Sequence, residues 1–124
     1  MQKIASKDGT AIAFDKTGQG PAIILVGGAL SDRSAAAPLA SLLAPHFTVF
    51  AYDRRGRGDS GDTAPYAVER EVEDIDALIQ ESSGTAFVFG HSSGAVLALE
   101  AAARGLAITR LALHEPPFIV DASR

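Results

Sequence analysis

In the segment Thr85–Gly94, TAFVFGHSSG, a strand-forming run leads directly into a glycine- and serine-rich turn. Its first half, Thr85–Phe89, is a largely apolar run, typical of a strand covered on both faces as in a parallel sheet. After the turn, Ala95–Arg104 is rich in alanine and leucine and is followed by Gly105, which predicts a helix ending at a C′ glycine. Strand, sharp turn and helix are the context in which G-x-S-x-G forms a nucleophile elbow.

Within this turn, Ser92 is the candidate nucleophile. The elbow predicts a strained backbone at Ser92 and an exposed hydroxyl, while Gly90 and Gly94 let strand and helix approach without a Cβ clash. The N–H of Ser93, at the start of the helix, is then placed to bind a developing oxyanion. A plain structural turn stays open as the alternative from these residues alone.

An apolar strand elsewhere in the chain supplies a candidate second donor. Ala22–Val26 is a continuous apolar run, typical of a strand covered on both faces. It leads into Gly27-Gly28-Ala29, and an oxyanion hole takes its second N–H from such a loop, so we predict Ala29 as that donor. On its own the same loop is equally compatible with an ordinary Gly-Gly turn.

Strands and helices alternate along the rest of the chain. A hairpin turn is predicted at Asp8-Gly9, and charged residues of the second helix are expected mostly on its outward side. The sum is an α/β fold with a mostly parallel sheet of about six strands and flanking helices. The predicted strands are Lys3–Lys7, Ala11–Lys16, Ala22–Val26, Phe47–Tyr52, Thr85–Phe89 and Thr109–Leu113, and the predicted helices are Ser34–Ala44, Val68–Ile79 and Ala95–Arg104.

Composition limits the classes of function. The 124 residues fit one domain, and the absence of cysteine excludes disulfides and thiolate chemistry. A net charge of −4 argues against a nucleic-acid partner. No apolar run is long enough to span a bilayer, and no secretory leader is evident, so we expect a cytoplasmic protein without membrane contact.

Four motifs, taken in order, resemble the α/β-hydrolase fold, and most closely its bacterial esterase, lipase and haloperoxidase-like group. They are Gly27-Gly28-Ala29, the segment DRRGRGDS at Asp53–Ser60, GHSSG at Gly90–Gly94, and Glu115-Pro116-Pro117. The resemblance implies hydrolysis of esters or related acyl compounds by a serine nucleophile, with no metal or organic cofactor. One departure is Gly27, where many relatives carry histidine.

The resemblance extends over only the first half of the family's domain, so residues 1–124 are expected to form a truncated one. In the family, the acid and the histidine of the triad follow later strands. Without a base a serine hydroxyl is a poor nucleophile. His114 ends the strand predicted beside the elbow strand, at a spacing of about 4.8 Å, and is our candidate base, with a packed or rim histidine as the alternative. His46 is expected at the surface, and His91 is expected to point away from the nucleophile.

The favoured function is hydrolysis of carboxylic esters, above all activated aryl esters, whose leaving groups need no general acid. An open sheet edge beyond the sixth strand predicts a homodimer that covers it and completes the site. A catalytically inactive fragment or scaffold is the rival hypothesis. A dinucleotide site at Gly56–Gly61 is disfavoured because Thr63–Pro65 separate its glycines from the next helix. No spacing of histidine and acidic residues suggests a metal site.

Overall fold

The computed structural model describes residues 1–115, and Pro116-Pro117 of the fourth motif lie outside that range. Strands alternate with helices in the predicted order, and a 3₁₀ turn at Arg33–Ala36 leads into the first helix. The strands are β1 Gln2–Ala5, β2 Ala11–Gly18, β3 Ala22–Val26, β4 Thr48–Tyr52, β5 Ala86–His91 and β6 Ile108–His114, and the helices are α1 Ala37–Leu43, α2 Val68–Ser82 and α3 Ser93–Ala103. The predicted fold class is confirmed.

All six strands join one sheet in the order β1-β2-β4-β3-β5-β6. β1 and β2 form the predicted antiparallel hairpin, β2 is antiparallel to β4, and the remaining pairs are parallel. The chain passes from β3 to β4 on one side and then returns to β5 on the other side of β3. The loops that follow β3 and β5 therefore lie beside each other at the carboxyl edge, where ligands bind in such sheets.

The two faces of the sheet are covered unequally. One face, called here the closed face, is packed by α2 and α3 and includes the fully buried Ile75, Leu78 and Ile79 of α2. The other, called the open face, is packed by α1, which contains no buried residue. Phe87 and Phe89 of β5 are only partly buried on that side. The hydrophobic core thus lies mainly between the sheet and α2–α3.

Two sequence expectations about the helices need revision. The first helix, predicted over Ser34–Ala44, begins at Ala37 as α1, so Pro38 lies in its first turn, where it needs no hydrogen bond. The expected outward orientation of the α2 acids is wrong for Glu71 and Asp74, each only 1% exposed. Both carboxylates are buried because arginines of the loop after β4 reach them.

Candidate active site

Ser92 lies in a strained elbow between β5 and α3. Its φ of 56° and ψ of −125° are unusual for a residue other than glycine. The flanking glycines are sterically required: a Cβ on Gly90 would lie 2.6 Å from the carbonyl oxygen of Gly94, and one on Gly94 would lie 2.3 Å from that of Val26. The strand, turn and helix predicted around this serine are all present.

The side chain of Ser92 lies beside the loop that follows β3. A Cβ built on Gly28 would be 3.6 Å from Cβ and 3.9 Å from Oγ of Ser92. The Ser93 N–H is in the first turn of α3, where N–H groups have no acceptor within the helix. The loop that carries Gly28 and the first turn of α3 at Ser93 therefore both lie next to the nucleophile candidate.

His114 approaches Ser92 through its backbone and not through its ring. Its carbonyl accepts a hydrogen bond from the Ser92 N–H at 3.0 Å. The ring Nδ1 lies 2.9 Å from Nδ1 of His91, and Nε2 lies 3.3 Å from Oε1 of Glu115. Within residues 1–115, no histidine ring is hydrogen-bonded to the Ser92 hydroxyl. The side-chain pair expected between Ser92 and His114 is not formed in this conformation, because the parallel register sets His91 directly beside His114.

The other two histidines lie at opposite ends of the sheet. His46 is exposed in the turn before β4, as predicted for a surface residue. His91 is exposed at the end of β5, and its ring stacks on that of His114 with centroids 5.0 Å apart. A neutral His114 that donates through Nε2 to Glu115 accepts through Nδ1, so His91 is then the donor in the 2.9 Å contact.

A cavity of about 350 Å³ opens on the open face beside the elbow. Its lining is mainly apolar, with Leu25, Leu39 and Phe89 on its walls. Gly27 belongs to the same lining, and both histidines of the His91–His114 pair also line it. Ser92 itself does not, so the cavity adjoins the elbow without containing the nucleophile candidate.

The arginine-rich loop after β4 is fixed by buried acids. Asp53 is fully buried and accepts hydrogen bonds from the backbone N–H groups of Arg33, at 2.6 Å, and Asp59, at 2.8 Å. The buried Asp53 carboxylate thus holds the loop in place. α2 begins only at Val68, well after Gly61, so these glycines do not open a helix as a dinucleotide site requires.

Arg54 connects the loop after β4 to α2 and to the first turn of α3. Its guanidinium donates two parallel hydrogen bonds to Glu71, at 2.7 and 2.8 Å, and Nη1 donates to Ser93 Oγ at 3.0 Å. Burial alone would raise the pKa of Glu71, but hydrogen bonds from Arg54 and Tyr66 and the positive charge of Arg54 outweigh it and lower that pKa. Glu71 is therefore held as a carboxylate.

Sequence reasoning missed this buried cluster, although a signal for it exists. Arg54 and Arg55 are consecutive, and their partners Glu71 and Asp74 are three apart on α2. Residues three apart share one helix face, so two adjacent arginines facing two such acids indicate paired contacts. The pairing can be assigned only when the loop after β4 and α2 are known to be neighbours.

Two further findings concern ligands and membranes. In the described part of the chain, no group of three or more histidine, aspartate or glutamate side chains could hold a metal ion. The helices found there are too short or too polar to cross a membrane.

The sheet order, the strained serine between β5 and α3, and the glycine loop beside it together define an α/β protein of the hydrolase type. Residues 23–123 match the alpha/beta hydrolase family. The chain therefore belongs to that family, as the motifs suggested.

Individual relatives are longer than this chain. An uncharacterised hydrolase of Bacillus subtilis, YraK, is 38% identical over 96 residues, which are 74% of this chain and 35% of that protein. A pimeloyl-[acyl-carrier protein] methyl ester esterase of Xanthomonas campestris is 36% identical over 101 residues, 81% of this chain and 38% of its own length. The crystal structure of an alpha/beta hydrolase from Sphaerobacter thermophilus superposes with a TM-score of 0.95 at 67% identity, over 99% of this chain and 48% of that one. This chain thus spans less than half of each.

Proposed function

We propose that this protein hydrolyses carboxylic esters with Ser92 as the nucleophile. The observation that carries the proposal is the strained backbone of Ser92, held between β5 and α3 by two glycines that tolerate no side chain. Such strain persists where the surrounding structure enforces it, and it is concentrated at functional sites. Its family and the methyl ester esterase among its relatives support the reaction class.

In the proposed reaction, Ser92 Oγ attacks the ester carbonyl carbon while a base takes the hydroxyl proton. The carbonyl oxygen becomes an oxyanion, bound by the N–H groups of Ala29 and Ser93. When the tetrahedral intermediate collapses, the C–O bond to the alcohol breaks and the alcohol takes the proton from the base. A water molecule then attacks the acyl-serine, which releases the acid and restores the serine.

His114 is the base in this proposal. Its backbone is held against Ser92 by the 3.0 Å hydrogen bond, and its side chain is 54% exposed. The proposed role requires the ring to give up its contacts with His91 and Glu115 and to turn toward the serine. Activated aryl esters are the substrates we expect, because an aryl oxide leaves without a proton from a general acid.

We also propose that two copies associate through β6. Within the described residues this strand pairs only with β5, and most of its residues are exposed. An unpaired edge beside the partly buried Phe87 and Phe89 favours pairing with another chain. Static light scattering at micromolar concentration should give the mass of a dimer, and a monomeric mass would contradict association. The cytoplasmic location stays a prediction of the sequence alone.

The proposed activity is tested by p-nitrophenyl acetate hydrolysis with the purified chain and four variants. Ser92→Ala and His114→Ala should both reduce the rate to that of buffer, while Ser34→Ala and His46→Ala, which replace exposed residues of the same types, should keep the parent rate. Circular dichroism confirms that each variant is folded.

The other outcomes are equally informative. Loss of hydrolysis in Ser92→Ala but not in His114→Ala would support Ser92 as the nucleophile and would contradict the role of His114 as the base. A parent rate equal to buffer would favour the catalytically inactive scaffold, a possibility motivated by the Ser92 hydroxyl making no hydrogen bond to a histidine ring within residues 1–115.

A further inference from the structure

Three consecutive carbonyl groups in the loop after β3 are each held by a side chain. Arg54 Nη1 donates to the carbonyl oxygen of Gly27 at 3.3 Å. Ser31 Oγ donates to that of Gly28 at 3.1 Å, and Arg57 Nε donates to that of Ala29 at 2.6 Å. In a loop of two glycines and an alanine, such contacts replace the rigidity that regular secondary structure would provide.

Holding these carbonyls also directs the N–H groups. A trans peptide is planar, and its C=O and N–H point in opposite directions. The N–H of Ala29 belongs to the peptide whose carbonyl is that of Gly28, so the hydrogen bond from Ser31 turns this N–H away from Ser31. The contacts of Arg54 and Arg57 fix the peptides immediately before and after it.

Arg54 also reaches the second donor segment, and both arginines share one buried anchor. Arg54 Nη1 also donates to Ser93 Oγ at 3.0 Å, which connects the loop to the first turn of α3. Glu71, 1% exposed, binds Arg54 through two hydrogen bonds, accepts one from the Tyr66 hydroxyl at 2.7 Å, and lies 3.9 Å from Arg57 Nη1. Because a buried forked pair fixes the guanidinium, the donors on its outer side are fixed as well.

We propose that Arg57 and Arg54, anchored on Glu71, are positioning residues that aim the Ala29 and Ser93 N–H groups at the substrate carbonyl. This inference rests on the proposed function and names residues outside the nucleophile and the oxyanion donors. Neither arginine touches the reacting atoms. They act through the backbone segments that carry the two donors.

Arg57 is the residue to vary, because it is partly exposed and its replacement leaves the buried Arg54–Glu71 pair intact. Complete loss of an oxyanion donor lowers kcat about 10²- to 10³-fold, so a misdirected donor should cost less, about tenfold. We expect Arg57→Met to lower kcat by about that factor with KM changed less than about twofold, since the interaction is made in the transition state. Arg57→Lys retains a donor for the Ala29 carbonyl and should recover part of the loss.

The experiment measures p-nitrophenyl acetate hydrolysis per competent site, with sites counted by titration with a fluorophosphonate. A purely structural role would reduce the number of sites and leave kcat per site unchanged. Arg104→Met is the matched control: this arginine is exposed to a similar degree and pairs with Glu100 and Glu69 instead of the loop after β3, so kcat should not change.

Each remaining outcome overturns a defined part of the account. Arg57→Met with the parent kcat per site would overturn this inference and leave the proposed function intact. A parent chain that the fluorophosphonate does not label would overturn the proposed function, and this inference with it.

Discussion

The closed and open faces of the sheet differ in what holds them together. On the closed face, α2 and α3 bury apolar side chains completely, and two arginines of the loop after β4 form buried pairs with Glu71 and Asp74 of α2. On the open face, α1 is short and buries nothing fully, and the His91–His114 pair is exposed. The closed face is therefore held by fully buried contacts, whereas the His91–His114 pair of the open face is exposed to solvent.

The elbow lies between the closed and open faces, and its proposed catalytic groups depend on residues from both. Arg54, which binds Glu71 on the closed side, also donates hydrogen bonds to the Gly27 carbonyl and to Ser93 Oγ. These contacts hold the two segments that carry the proposed oxyanion donors. The candidate base, His114, belongs to the open side. In the proposed mechanism, the donor segments are therefore preorganised, whereas the proposed base depends on a ring that must move. The predictions below test that contrast.

The largest effect is expected from breaking a buried ion pair of the closed side. Arg55 makes two hydrogen bonds to Asp74 and further contacts to Asp8, with the guanidinium 1% exposed. Arg55→Met should lower the free energy of unfolding by about 3–5 kcal/mol, because it leaves the buried carboxylate of Asp74 without its partner. Urea denaturation measures the change. Arg104→Met, which removes only exposed ion pairs, should lower the free energy of unfolding much less. Equal losses of unfolding free energy in the two variants would show that the buried pair of the closed side contributes no more than the exposed pairs do.

The apolar contacts of the two sides should differ almost as strongly. Ile75 is fully buried in α2, whereas Leu42 of α1 is 75% exposed. Ile75→Ala should lower the free energy of unfolding by about 2–5 kcal/mol through lost burial and the cavity left behind. Leu42→Ala should change it by about 0.5 kcal/mol or less. A large loss for Leu42→Ala would show that α1 is packed more tightly than the open face suggests.

A smaller but local effect is expected at the elbow. An alanine Cβ at Gly94 would lie 2.3 and 2.4 Å from the carbonyl oxygens of Val26 and Gly27, so β3 and α3 must separate. Gly94→Ala should lower the free energy of unfolding by about 1–3 kcal/mol and reduce esterase activity by moving the donors. At Gly61 the nearest atoms are at 3.6 Å, an ordinary contact. Gly61→Ala should therefore leave both thermal stability and activity near those of the parent.

The smallest effect concerns pH. The pKa of Glu71 is lower in the folded protein than its usual 4.5, because hydrogen bonds and charge outweigh burial. The unfolded chain therefore takes up the proton first as pH falls, so the contribution of Glu71 is present above about pH 4.5 and is lost below it. Glu71→Gln should flatten the fall in melting temperature on acidification below about pH 4.5. Glu81→Gln, at an exposed site of the same helix, should keep the parent slope.

Much of the fold could be predicted from the sequence because its signals are local. The apolar run at Ala22–Val26, the turn at Asp8-Gly9 and the alternation of strands with helices each reflect short-range chemistry, and the structure has all of them. Gly90 and Gly94 were predicted to permit close approach, and the distances to neighbouring backbone atoms agree.

Side-chain partners across the fold could not be predicted in the same way. The alignment of β5 and β6 sets His91 directly beside His114. The ring of His114 therefore contacts the ring of His91 instead of the Ser92 hydroxyl. The burial of Glu71 and Asp74 likewise depends on a loop that is distant in sequence. Periodicity alone places charged residues outward unless a buried partner is known.

Labelling with a fluorophosphonate tests directly whether the Ser92 hydroxyl is activated. The probe forms a bond to a serine oxygen only where that hydroxyl is activated, so intact-mass spectrometry and peptide mapping report the residue involved. The account predicts one adduct per chain, located on Ser92 and absent from Ser92→Ala. A folded parent chain without an adduct, or an adduct that persists in Ser92→Ala, would contradict it.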